Sequence, residues 1–337
     1  MSPVAMVGWS GAGRLEDLQK TAAHKLSLLP KDIDRIGGIL VVAADDPVVV
    51  ARRLSLLPGV SWIAVGYRFR GVDAYLKNLE TLSKRYLSSG ETFRIMAEVF
   101  ASTKTAGDMI LAGNSALLSF TPGTKVNEKK TQVTFRVCLE GHKVVCGAEI
   151  RTGPGGVPTG DDWVSCIVSG GERSSALAWM AALSGFSLRL VHSRTDEASL
   201  RRVAKLYSEL SSRMDASHLE LVVLEGEGDP FGRIGTWLRE SKGAALAGLR
   251  MGHPDTAVRF AEAFPNLLLP LLLVQVEAVL SLHASLGLGP ARKTSKGPEK
   301  SELTLEGLKK QTAYFERTFG GVQADSNEVI DAMKRQA

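Results

Sequence analysis

From residue 163 onward the sequence alternates short apolar runs with longer amphipathic segments, a rhythm that constrains the fold more than any other feature. The apolar runs are 163–168, 187–192, 219–224, 244–249 and 267–272. Between and after them, 174–183, 197–214, 231–241, 256–264 and 276–286 carry helical spacing. Strands that are apolar throughout are buried on both faces, and strands separated by helices pair in parallel. The expectation is an α/β domain over 163–289 built on a doubly wound parallel sheet.

The preceding text is different. Thr152-Gly153-Pro154-Gly155-Gly156-Val157-Pro158-Thr159-Gly160 holds too many Gly and Pro residues for the interior of a helix or strand, so 152–162 reads as a linker. Upstream, the pattern is α+β. An apolar strand at 37–44 leads to a helix from Pro47 to Leu57 with Asp46 as its N-cap. A strand at 61–68 and a helix at 72–87 follow, then a strand at 92–99, a helix at 105–120, and a hairpin of 132–140 with 143–150. We expect one unit over 1–63 and a second over 64–151. A basic, Gly/Pro/Ser-rich tail covers 290–337, with helical patches at 305–319 and 327–335.

Composition excludes several classes. With 44% hydrophobic and 23% charged residues, the chain can bury ordinary cores. The longest apolar run, 267–274, is far short of the roughly 20 residues a membrane span needs and contains Pro270. No secretory leader pattern opens the sequence, so a cytoplasmic protein is expected. The three cysteines, Cys138, Cys146 and Cys166, form no CxxC pair, and the six histidines show no metal spacing. Cys138 and Cys146 read as buried small hydrophobes, and neither a metal site nor a structural zinc is expected.

The motif with most chemistry is Ser169-Gly170-Gly171-Glu172-Arg173-Ser174-Ser175, which follows the first strand of the α/β domain and opens a helix. Glycines there let backbone N–H groups approach a phosphate, and the helix N-terminus adds to the attraction. It is neither the GxxxxGK[ST] loop nor GxGxxG.

Gly155-Gly156-Val157-Pro158-Thr159-Gly160, then a strand, then Ser169-Gly170-Gly171 resembles the junction in the tRNA 4-thiouridine synthetases. Those proteins join a ferredoxin-like domain and a THUMP domain to a PP-loop ATP-pyrophosphatase domain. The resemblance extends over nearly the whole chain, including Thr92-Phe93-Arg94 where the family has a TF(K/C)V strand. It implies an ATP or AMP site formed by Ile167, Val168, Ser169, Gly170, Gly171, Ser174, His192, Ser193 and Gly248. It also implies a tRNA-binding N-terminal module, and a homodimer is among the expectations.

The sequence departs from the family where its chemistry resides. Arg173 stands at the loop's Asp, Val276 at the Lys of the PL-x-x-x-D-K-E stretch, and no cysteine follows Cys166. The family's TGExLGQxxSQT stretch survives only as a remnant over 247–257. Charge clamps on phosphoryl transition states are typically worth about 10² to 10³ in rate each, so no catalytic residue is assigned. Two alternatives stay open: a divergent ATP-dependent sulfurtransferase or other adenylating tRNA-modifying enzyme, and a subunit that senses nucleotide without turnover.

Charge marks the RNA face. Residues 64–151 hold 13 Lys+Arg against 8 Asp+Glu, an excess of 5 that equals the net charge of the whole chain. Arg94, Lys104, Lys125, Lys129, Lys130, Arg136 and Arg151 are the expected phosphate contacts.

Overall fold

The computed structural model describes residues 1–226, 230–241, 244–248, 267–268 and 276–288. The readings for 256–264 and for the tail from 290 lie outside the described residues. The chain divides into two compact units: Met1–Ser165 with Ala178–Leu190 and Ala204–Val222, and Cys166–Leu177 with Val191–Val203 and the described residues from Val223 on.

The first unit is built on an eight-stranded sheet. Its elements are β1 (Ser2–Trp9), α1 (Leu15–Leu26), β2 (Asp34–Ile36), β3 (Ile39–Ala43), α2 (Pro47–Leu54), β4 (Val60–Arg70), α3 (Val72–Tyr86), β5 (Thr92–Phe100), α4 (Ala106–Phe120), β6 (Lys125–Val126), β7 (Val133–Glu140) and β8 (Lys143–Thr152). Strand order is β2-β3-β1-β4-β8-β7-β5-β6. The first four strands, with β1 antiparallel to both β3 and β4, make the ferredoxin-like arrangement. The expected 63/64 boundary falls inside β4, a single strand that pairs with β1 on one side and with β8 on the other.

Local chemistry sets the helix starts. Asp46 Oδ1 accepts the amides of Val48 and Val49 at 3.0 and 3.2 Å, with Pro47 at the first helical position. At α4, Thr105 Oγ1 accepts the Asp108 amide at 3.1 Å while Asp108 accepts the Thr105 amide at 2.8 Å. Alternation along the strands then buries one face. Leu18, Ala22, Ala51 and Leu54 pack from α1 and α2 onto Ala5, Val7, Ile63 and Val65. Tyr75, Leu79, Met109 and Leu117 pack from α3 and α4 onto Phe93, Phe135, Val137 and Ala148. Each such large side chain contributes about 1.5–3 kcal/mol when fully buried.

All four helices therefore cover one face, and the sheet curls to bury part of the other. Val4, Met6, Ile36, Ile39, Trp62, Ala64, Cys138 and Val145 form a core there. Curling brings the β2–β3 turn over β5 and β7: Cys138 Sγ lies 3.3 Å from the Ile36 carbonyl, and a Cβ on Gly37 would stand 2.0 Å from the Phe100 ring. The sequence text before residue 37 carries weak signals, yet β1 is a central strand.

The segment expected as a linker is a bonded strap. The amide of Gly155 reaches Val60 O, that of Gly59 reaches Gly155 O, and that of Val157 reaches Leu183 O, each at 2.7 Å. Ser10 Oγ donates to Gly156 O at 2.6 Å. Glycines make this close threading of backbone feasible.

The rest of the chain supplies β9 (Trp163–Ile167), α5 (Glu172–Leu183), β10 (Ser187–Ser193), α6 (Glu197–Arg213), β11 (Leu219–Leu224), α7 (Pro230–Ser241), β12 (Ala245–Ala247), β13 (Leu267–Leu268) and α8 (Val276–Ser285). These strands form a five-stranded sheet of order β11-β10-β9-β12-β13, the doubly wound α/β pattern expected from the sequence rhythm. Among the described residues no helix is long and apolar enough to cross a membrane.

Candidate nucleotide and RNA sites

In the five-stranded sheet β9 is central: β10 and β11 lie to one side, β12 and β13 to the other. The order reverses between β9 and β12, and in open α/β sheets ligands bind outside the carboxyl ends of the strands at such a point. The Ser-Gly-Gly loop occupies that position. Gly170 has φ +73°, and a Cβ there would stand 2.5 Å from Arg202 Cβ on α6, so a side chain is excluded on two counts.

Serine hydroxyls hold the loop closed. Ser174 Oγ donates to Gly171 O at 2.9 Å and accepts the Ser169 amide at 3.3 Å. Ser169 Oγ accepts the Gly171 amide at 3.4 Å, and Ser175 Oγ donates to Gly171 O at 3.0 Å. The loop's shape is thus set before any ligand arrives, with part of its N–H capacity used internally.

The neighbouring strand ends complete the site. His192 is buried, with Nδ1 2.9 Å from Val168 O and Nε2 3.3 Å from Ser199 Oγ. A carbonyl accepts only, so Nδ1 is the donor to Val168 O. Gly248 follows β12 against the start of α5: a Cβ there would lie 3.0 Å from the Arg173 carbonyl and 3.2 Å from the Ser174 nitrogen. Ile167 closes β9 half-buried. Ser193 is committed elsewhere, since its Oγ accepts Nε and Nη2 of Arg233 at 3.1 and 2.9 Å.

Arg233, on α7, also donates from Nη2 to Arg194 O at 3.1 Å and from Nη1 to Gly226 O, bracing the loops after β10 and β11. Sequence spacing carried no sign of it, because 40 residues separate it from Ser193. Ser199 and Arg202 were likewise invisible without the fold. Arg173 sits half-buried in the first turn of α5. Among the described residues no group of three or more His, Cys, Asp or Glu could hold a metal.

All three cysteines are free thiols buried in the fold. Burial pushes the Cys138 and Cys166 thiols up to about 12, and that of Cys146 higher still. Cys166 lies within β9 at 0% exposure.

The seven expected RNA-contacting cations do not share one surface. Lys125, Lys129 and Lys130 are exposed on β6 and the loop after it. Arg94 lies on the same end of β5, its Nε donating to Thr134 Oγ1 at 3.1 Å. Arg136 is occupied within the fold, paired with Glu149 at 2.8 Å and stacked 4.6 Å from the Trp62 ring centroid. Arg151, opposite Ile63 on the helix-covered side, donates to Ser55 Oγ at 3.3 Å. Lys104 lies past the far end of β5.

This architecture defines a class: a ferredoxin-like and THUMP-type α+β module combined with a doubly wound α/β domain. No family model matches the chain, and no curated protein matches it in sequence. Solved structures do. PH1313 from Pyrococcus horikoshii Ot3 is 19% identical with a TM-score of 0.64, covering 85% of this chain and 99% of that one. A 4-thiouridine synthetase, crystallised as an RNA complex with bound ATP, is 14% identical with a TM-score of 0.64 over 86% of each chain. The fold is that of the thiouridine synthetases.

Proposed function

We propose that the protein binds tRNA through its N-terminal module and does not thiolate it, its α/β domain retaining at most the capacity to hold a nucleotide. Support for RNA as the partner comes from the likeness to a synthetase crystallised with RNA, together with the basic excess over 64–151. The observation that carries the absence of thiolation is the placement of all three cysteines in cores. A persulfide relay needs an accessible thiolate, and burial disfavours that form. Arg173 in place of the family's acid and Val276 in place of its lysine point the same way.

The purified protein, ATP, a persulfide donor and unmodified tRNA test this together. The expected result is salt-sensitive tRNA binding with no accumulation of thiouridine. Thiouridine formed with turnover would overturn the proposal. ATP titration in the same sample separates a nucleotide-holding domain from one that has lost the ligand.

A further inference from the structure

We infer that RNA phosphates are held at one corner of the sheet's helix-free face, by Lys125, Lys129 and Lys130 with Arg94. This rests on the RNA reading above and names its contact surface. Along β5, Phe93, Ile95, Ala97 and Val99 pack into the helix-covered core, so Thr92 and Arg94 point to the opposite face. Lys125 pairs in register with Thr92 on the parallel neighbour β6, which puts it on that same face.

The loop carrying the other two lysines is held in shape. Asn127 Oδ1 accepts the amides of Lys129 and Lys130 at 3.0 and 2.9 Å. Thr92 Oγ1 donates to Lys130 O at 2.7 Å, and the Thr92 amide to Gln132 Oε1 at 2.9 Å. A loop ordered before binding loses less entropy when a ligand arrives. The acids of this corner are Glu128 and Glu91, and Glu91 already accepts the Ser88 amide at 2.6 Å. Four cations against two acids leave an excess of positive charge on a fixed scaffold, which suits a phosphodiester backbone.

The other candidates fall away on geometry. Lys104 lies beyond Phe100, and the strand from Phe93 to Phe100 spans about 23 Å. Arg136 is neutralised by Glu149, and Arg151 belongs to the opposite face.

The test measures affinity of the full chain for an unmodified tRNA transcript between about 50 and 200 mM salt. Alanine at Lys125, Lys129 and Lys130 together should reduce the slope of log affinity against log salt by about 2 to 3, since each lost phosphate contact removes somewhat under one. Lys104→Ala with Arg151→Ala should leave the slope within about 1 of wild type. In parallel, acetylation footprinting of the unaltered protein should show tRNA protecting Lys125, Lys129 and Lys130 but not Lys104, a readout that needs no variant to fold. Wild-type binding with an unchanged slope in the triple variant, or with protection at Lys104 alone, overturns this placement and leaves the RNA reading standing. Absence of wild-type binding overturns both.

Discussion

Replacing Gly156 with alanine isolates what the strap contributes. Gly156 has φ +79°, and a Cβ there would stand 2.4 Å from Leu183 O and 3.1 Å from its carbonyl carbon, backbone atoms that cannot rotate aside. That same oxygen accepts the Val157 amide at 2.7 Å, so any retreat loosens a hydrogen bond. The neighbouring Gly155 has φ +69°, a Cβ there would meet nothing within 4 Å, and it serves as the control. Both alanines take an unfavourable left-handed conformation costing about 1–2 kcal/mol, partly offset by about 0.4–1 kcal/mol from a less flexible unfolded chain. Only Gly156→Ala adds overpacking of about 1–3 kcal/mol. Urea unfolding should therefore place Gly156→Ala about 1–3 kcal/mol below Gly155→Ala. If the two variants unfold within about 0.5 kcal/mol of each other, the strap is not the tight contact described.

Three further outcomes are expected. The Tyr75 hydroxyl is fully buried without a hydrogen-bond partner, so Tyr75→Phe should raise stability by about 1 kcal/mol; a lower urea midpoint would show that the hydroxyl is satisfied. Arg136→Ala should lower stability by about 1–3 kcal/mol, because it leaves Glu149 half-buried and uncovers Trp62, whereas Lys129→Ala should stay within about 0.5 kcal/mol of wild type; equal effects would contradict the pairing. Burial pushes the Asp215 carboxyl up, but hydrogen bonds from His24 and the Ser217 amide outweigh it and hold it below its ordinary value. A lowered folded-state pKa gives stability that is present above 3.8 and lost as pH falls through the folded value, so Asp215→Asn should flatten the acid limb of the stability profile; an unchanged limb would assign acid sensitivity to other groups.

The α/β half was legible because its signals are local. Periodicity placed β9, β10 and β11 within a residue of their ends, and Asp46-Pro47 and Thr105 marked helix starts through contacts a few residues away. The loop's glycines carried meaning for the same reason. What stayed hidden depends on partners distant in sequence. Arg233 reaches Ser193 across 40 residues. The strap looked like a linker because its composition excludes helix and strand, while its bonds run to Val60 and Leu183.

The basic residues show the limit most clearly. Counting charge over 64–151 raised the expectation of an RNA face there but could not separate a cation facing solvent from one already paired. Glu149, which neutralises Arg136, is 13 residues along the chain on the adjacent strand, so their pairing follows from the β7–β8 hairpin. Arg151 and Lys125 differ by face, a distinction set by strand parity and by the register shift in β4–β8 between Ile63 and Ala64. Composition therefore bounds the partner's chemistry, and register decides which side chains are free to meet it. Of the seven cations expected from charge alone, register leaves Lys125, Lys129, Lys130 and Arg94 at one corner of the sheet, the surface that our proposal assigns to RNA phosphates.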